Sequence, residues 1–172
     1  MLVAGGFNKG LPTKSEIIDL INPMNVCQPW ADHPTGTRYA AGAFINNALH
    51  ICGGETPGES HSDDCHLIGP TSAEFTTSLR VGSEYSAAVS HQDALLYTGG
   101  KGKYFSKNRN KVDITHVFLD FVSDGFNYRL ERTEIVSTNE ASPGPDLPDP
   151  LYGHCIVKLT DDRFYLIGGI YK

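Results

Sequence analysis

Seven histidines and one dense run of ligand-type side chains are where chemistry would first be sought in this chain. The run is ESHSDDCHL, which sets Glu59, His61, Asp63, Asp64 and His66 within nine positions. Imidazoles and carboxylates at close spacing are what a metal ion needs. The spacing here matches neither a zinc ligand pair nor a calcium loop, and the segment reads as a solvated acidic loop. The other histidines are scattered. His50 and His154 fall in apolar, strand-like runs, His91 ends another, and His33 precedes Pro34; they read as structural or solvent-exposed. No G-x-S-x-G elbow, phosphate-binding glycine loop or paired-acid motif occurs. Cysteines stand at 27, 52, 65 and 155 without a C-x-x-C pair, which argues against a zinc ribbon or a thioredoxin-type centre. On these residues no catalytic group, metal or cofactor is assigned.

The whole chain bounds these readings. It has 172 residues, enough for one domain with a sizeable core, and a formal net charge of −6. Such an acidic chain is a poor general nucleic-acid binder. No apolar run of membrane-spanning length occurs, so no membrane partner is expected. Met1 leads straight into LVAGG, with no charged leader or apolar segment of signal length. That fits a cytoplasmic protein or a piece of a longer chain. No N-x-[ST] sequon occurs, which weighs against an extracellular surface. Eighteen glycines and ten prolines imply many turns, and long helical patterns are missing. The composition predicts an all-β protein.

The elements show themselves through a repeat. Apolar runs end in paired glycines four times: at Gly5 and Gly6, Gly53 and Gly54, Gly99 and Gly100, and Gly168 and Gly169. The intervals are 48, 46 and 69 residues (53−5, 99−53, 168−99). Set in register, RYAAGAFINNALHICGG lies over EYSAAVSHQDALLYTGG and LYGHCIVKLTDDRFYLIGG, with Tyr39, Tyr85 and Tyr152 in one column. Each copy predicts a strand, a tight turn (NNA, QDA, TDD) and a second strand. The third copy is two residues longer, and its turn LTDDR is where insertion is expected. Downstream, EIIDLI and VCQPW predict a third and a Pro-bearing edge strand. CHLIGP with AEFTTSL repeats that order, and so does TEIVSTNEASPGPDLPDP. The roughly twenty extra residues of the last period are placed within 101–128, which holds the strand-like run THVFLDF.

Four strands in nearly fifty residues, with a double glycine closing the second, resembles the kelch motif of β-propellers. The resemblance covers almost the whole chain. It departs from the family in its single Trp, since Trp30 falls three residues beyond the expected column at Cys27, and Phe75 stands nearest that column in the next copy. It implies a kelch-type, all-β propeller that is incomplete: two whole and two partial blades, at about 1–36, 37–83, 84–150 and 151–172. First strands at 40–45, 86–91 and 153–159 are expected innermost, and open blade edges would favour self-association.

By the same resemblance the expected function is a protein–protein interaction scaffold that binds through loops on one face. The alternative is a fragment of a propeller enzyme, oxidase-like or sialidase-like, with its catalytic residues outside this chain. The loop KGKYFSKNRNK (101–111) carries five of the chain's 14 basic residues in 11 positions. It would leave the face shared by Arg38, Glu55 and Tyr152. Lys103, Tyr104 and Arg109 with those three form the expected partner-binding set, suited to an acidic protein. Cys52 ends a second strand and Cys65 opens the neighbouring third strand, so the two are either a disulfide, implying a secreted protein, or reduced thiols. Cys27 and Cys155 lie in different blades and are expected free.

Overall fold

A computed structural model describes residues 2–4, 13–18, 21, 27–102, 128–130 and 132–170. These form an all-β chain of antiparallel sheets, with no helix among the described residues. The second double glycine sits in a four-stranded meander of β4 (Ala41–Ile45), β5 (Ala48–Cys52), β6 (Asp64–Ile68) and β7 (Ala73–Ser78), hydrogen-bonded in chain order. The third double glycine sits in a second meander. It consists of β9 (Ala87–His91), β10 (Ala94–Thr98), β13 (Thr133–Val136) and β14 (Ala141–Pro143). Before them stand β1 (Leu2–Ala4), β2 (Ser15–Ile17) and β3 (Gln28–Trp30), a three-stranded sheet with Pro29 on its edge strand. After them comes the hairpin β15 (Tyr152–Thr160) and β16 (Arg163–Ile170). A small sheet of β8 (Ser83–Glu84), β11 (Lys101–Gly102) and β12 (Tyr128–Arg129) links the two meanders at one end. THVFLDF and both glycines at 5–6 lie outside the described residues.

The turns follow from local chemistry. Asn46 and Asn47 both hold positive φ, 48° and 62°, the two-residue hairpin geometry whose twist matches the flanking strands. Gln92 takes the same kind of position in the next hairpin, φ 53°.

Alternation along each strand decides what packs where. Ala41, Ile45, Cys52 and Cys65 on one face of β4–β6 form a buried cluster with Leu95, Tyr97 and Val136 of the second meander. The opposite face meets the first sheet: Trp30 Nε1 donates to Ile68 O at 2.9 Å, and its ring lies 6.3 Å from that of Phe44. Beyond the second meander, His154 Nε2 and Thr98 Oγ1 are 2.7 Å apart, and the rings of Phe164 and His91 are 5.5 Å apart. The sheets therefore stack in sequence order, and β4, β9 and β15 are neighbours in that stack.

The double glycines hold neighbouring sheets together. Gly53 N donates to Asp64 O at 3.0 Å within its own sheet, while Gly54 N crosses to Ser83 O at 2.7 Å. Gly99 and Gly100 repeat this with Arg132 O and Leu151 O. Gly54 has φ +88°, and a Cβ there would fall on Arg38 O and Thr37 Oγ1. A side chain is thus excluded twice, by torsion and by space.

One expected alignment is corrected. Ala41 pairs with Cys52, Ala87 with Thr98 and Cys155 with Ile167, each partner immediately preceding a double glycine. Counting back two residues puts Gly153, not Tyr152, in the column of Tyr39 and Tyr85. Torsions agree: Tyr39 has φ 59°, Tyr85 56° and Gly153 64°. Of the two extra residues in the third copy, one is this offset. The other is absorbed by a bulge between Lys158 and Thr160, so it lies in β15 and not in the turn.

Candidate interaction surface

Arg38, Glu84 and Tyr152 each precede the left-handed residue of their repeat, and Glu55, Lys101 and Ile170 each follow a double glycine. The two sets face one another in register: Arg38 with Glu55, Glu84 with Lys101, Tyr152 with Ile170. At the first pair the guanidinium grips the carboxylate with two hydrogen bonds, Nε at 2.8 Å and Nη2 at 2.7 Å. At the second, Lys101 and Glu84 diverge. Glu84 Oε1 lies 3.5 Å from buried His61 Nε2. Among the described residues no carboxylate forms an ion pair with Lys101.

The left-handed residues carry a backbone chain from sheet to sheet. Tyr85 N donates to Tyr39 O at 3.0 Å, and Gly153 N donates to Tyr85 O at 2.8 Å. This fixes two bulky residues in a conformation they rarely adopt and brings their rings together. Tyr39 and Tyr85 stack at 4.2 Å between centroids with 26° between planes, and Tyr85 meets Tyr152 edge-on at 6.4 Å. Two cations seat on this ridge: Arg38 5.1 Å from the Tyr39 centroid, and Lys101 4.3 Å from that of Tyr152 and 5.3 Å from that of Tyr85. Loss of water around the Tyr85 hydroxyl, with a hydrogen bond to Tyr39, pushes its pKa up to about 12. At neutral pH the Tyr85 phenol is therefore uncharged, with the Lys101 ammonium over its ring.

The structure brings Arg38, Glu55 and Tyr152 to this one ridge. Lys103, Tyr104 and Arg109 lie outside the described residues. Sequence reasoning missed Tyr39 and Tyr85 as surface groups, having used them only to set the repeat in register. It placed Lys101 in the basic loop and not on the tyrosines.

The acidic run does not gather into a metal site. His61 is buried between Ser60, whose Oγ is 3.0 Å from Nδ1, and Glu84, while His66 packs edge-on to His33 at 4.7 Å. One group of three ligand-type residues does converge among the described residues: His50, Cys52 and Cys65, with donor atoms all within 4.8 Å. Cys52 and Cys65 are directly opposed across β5 and β6 and are joined by a disulfide, Cα–Cα 4.1 Å. Cys27 and Cys155 are free and exposed. No family model matches this chain, and no curated protein matches it.

Proposed function

We propose that this chain is an array of kelch-type propeller blades that serves as a protein-interaction scaffold, binding an acidic partner across the Arg38–Tyr39–Tyr85–Lys101–Tyr152 ridge. The observation that carries the reading is that three successive sheets contribute to one surface from matching positions. Aromatic faces and an Arg at one place are the usual composition of an interface anchor. Lys101, an ammonium on two ring faces with no ion-paired carboxylate among the described residues, gives that anchor a preference for acidic side chains. The kelch reading is supported by two four-stranded meanders, stacked in order and stapled by double glycines. The basic run 101–111 begins at Lys101, and its residues from 103 onward lie outside the described residues.

A second copy of the chain is a further partner in this reading, at the uncovered face of β15–β16. Panning a random peptide library against the immobilised chain tests the main claim. Recovered peptides should be acidic and should lose binding to a Lys101→Ala, Tyr152→Ala variant of unchanged melting temperature. Binders with no charge bias, or indifferent to those substitutions, would contradict it.

A further inference from the structure

His50 and Cys52 lie two residues apart on β5, so they project from the same face of the sheet, and Cys65 stands directly opposite Cys52 on β6. All three are buried, at 2%, 1% and 0% exposure, and the two cysteines belong to the core cluster with Leu79, Leu95 and Tyr97. A disulfide alone needs no histidine next to it. Here an imidazole nitrogen and both sulfurs lie within 4.8 Å of one another. The imidazole is also held by a second partner, because His50 Nε2 is 3.3 Å from Thr76 Oγ1, and that hydroxyl donates its own proton to Cys65 O at 3.2 Å. A hydroxyl whose proton is already engaged can only accept, so the ring carries its proton on Nε2 and its lone pair on Nδ1. Such an outer contact is how metal-binding histidines are oriented.

We propose that reduction of the Cys52–Cys65 disulfide converts this pocket into a zinc site, with two thiolates and the His50 imidazole as ligands. The chemistry has two balanced steps. A dithiol reductant supplies two electrons and two protons, its own sulfurs joining as a disulfide while the Cys52–Cys65 bond breaks into two thiols. Zn²⁺ then displaces both thiol protons to solvent and bonds two sulfurs and one nitrogen. The two thiolate charges cancel that of the ion, so the complex enters the apolar interior neutral, which lowers the cost of burial. A Cys₂His set with one open position is an established three-ligand arrangement for zinc. The two states exclude each other: bonded sulfurs cannot ligate, and a metal-bound pair cannot be oxidised to the disulfide without releasing the ion.

The test uses the full chain with Cys27→Ser and Cys155→Ser, which removes the two exposed thiols. After phosphine reduction, the chain should bind one equivalent of Zn²⁺ in competition with a chromophoric chelator. Co²⁺ in its place should give a thiolate-to-metal charge-transfer band. The oxidised chain should bind neither ion. His50→Gln should weaken zinc binding at least tenfold while leaving the strand circular dichroism intact. Absence of binding in a reduced chain that keeps its strand signal would overturn the proposal. So would equal binding by the oxidised chain, or unfolding on reduction that zinc does not reverse, which would make the disulfide a staple only.

Discussion

Tyr39 and Tyr85 show why a residue's type can hide its role. Tyr is ordinary in a strand, so the repeated Tyr read as part of the strand pattern; its positive φ is set by the hydrogen bond to the next sheet and leaves no mark in the sequence. The double glycines at 53–54 and 99–100 were legible because only glycine meets both demands at those positions. Among described glycines the two demands can be separated. Gly54→Ala combines left-handed torsion with a Cβ on Arg38 O and Thr37 Oγ1, whereas Gly58 has φ +95° and open space around its missing Cβ. Gly58→Ala should therefore cost only about 1 kcal/mol. Gly54→Ala should cost at least ~2 kcal/mol more, because its neighbours are backbone and a buried Thr. Urea unfolding of the two variants measures the gap, and equal midpoints would mean that the inter-sheet staple is absent.

Strands and their order were readable from apolar runs and turn residues, since a two-residue turn and period-two alternation are local requirements. The bulge in β15 was not, because an extra residue can be absorbed anywhere along a hairpin. Nor was the burial of five histidines, His33, His50, His61, His66 and His154, which depends on sheets far apart in sequence. That burial has a consequence for pH. Loss of water lowers the pKa of His33 to about 4, with the nearby His66 adding to the effect, and lowers those of His50, His66 and His154. The unfolded chain takes up protons near pH 6.5 while the folded chain resists, so stability is highest above that value and falls as pH drops through it. His33 alone should account for at most about 3 kcal/mol between pH 6.5 and 4. Denaturant midpoints should fall steadily over that window; a flat profile would show that these rings are solvated or already charged at neutrality.

Among the described residues the first sheet, the two meanders and the hairpin stack face to face in chain order, and the hairpin β15–β16 ends the described stack. The positions that are buried as Ala41, His50 and Cys52 in the first meander correspond to Cys155, Tyr165 and Ile167 in the hairpin, where Tyr165 and Ile167 are 58% and 57% exposed. Such an apolar face favours association. Sedimentation should show oligomers that dissociate when Val157 and Ile167 are both replaced by Lys, and a wild-type monomer at high concentration would refute this. The four-strand period was visible in the sequence because the glycine pairs mark it, and the same register put Arg38, Glu55 and Tyr152 on one face; that Tyr39, Tyr85 and Lys101 complete the ridge was not, because their contacts exist only once three sheets are stacked. The proposed recognition of an acidic partner rests on that ridge. The most direct test is calorimetric titration of an acidic peptide from the panned library into wild type and Lys101→Ala, each at low and high salt. At least a tenfold loss of affinity on substitution is expected, with a salt dependence that weakens alongside it; equal affinities with unchanged salt dependence would contradict recognition of acidic partners at Lys101.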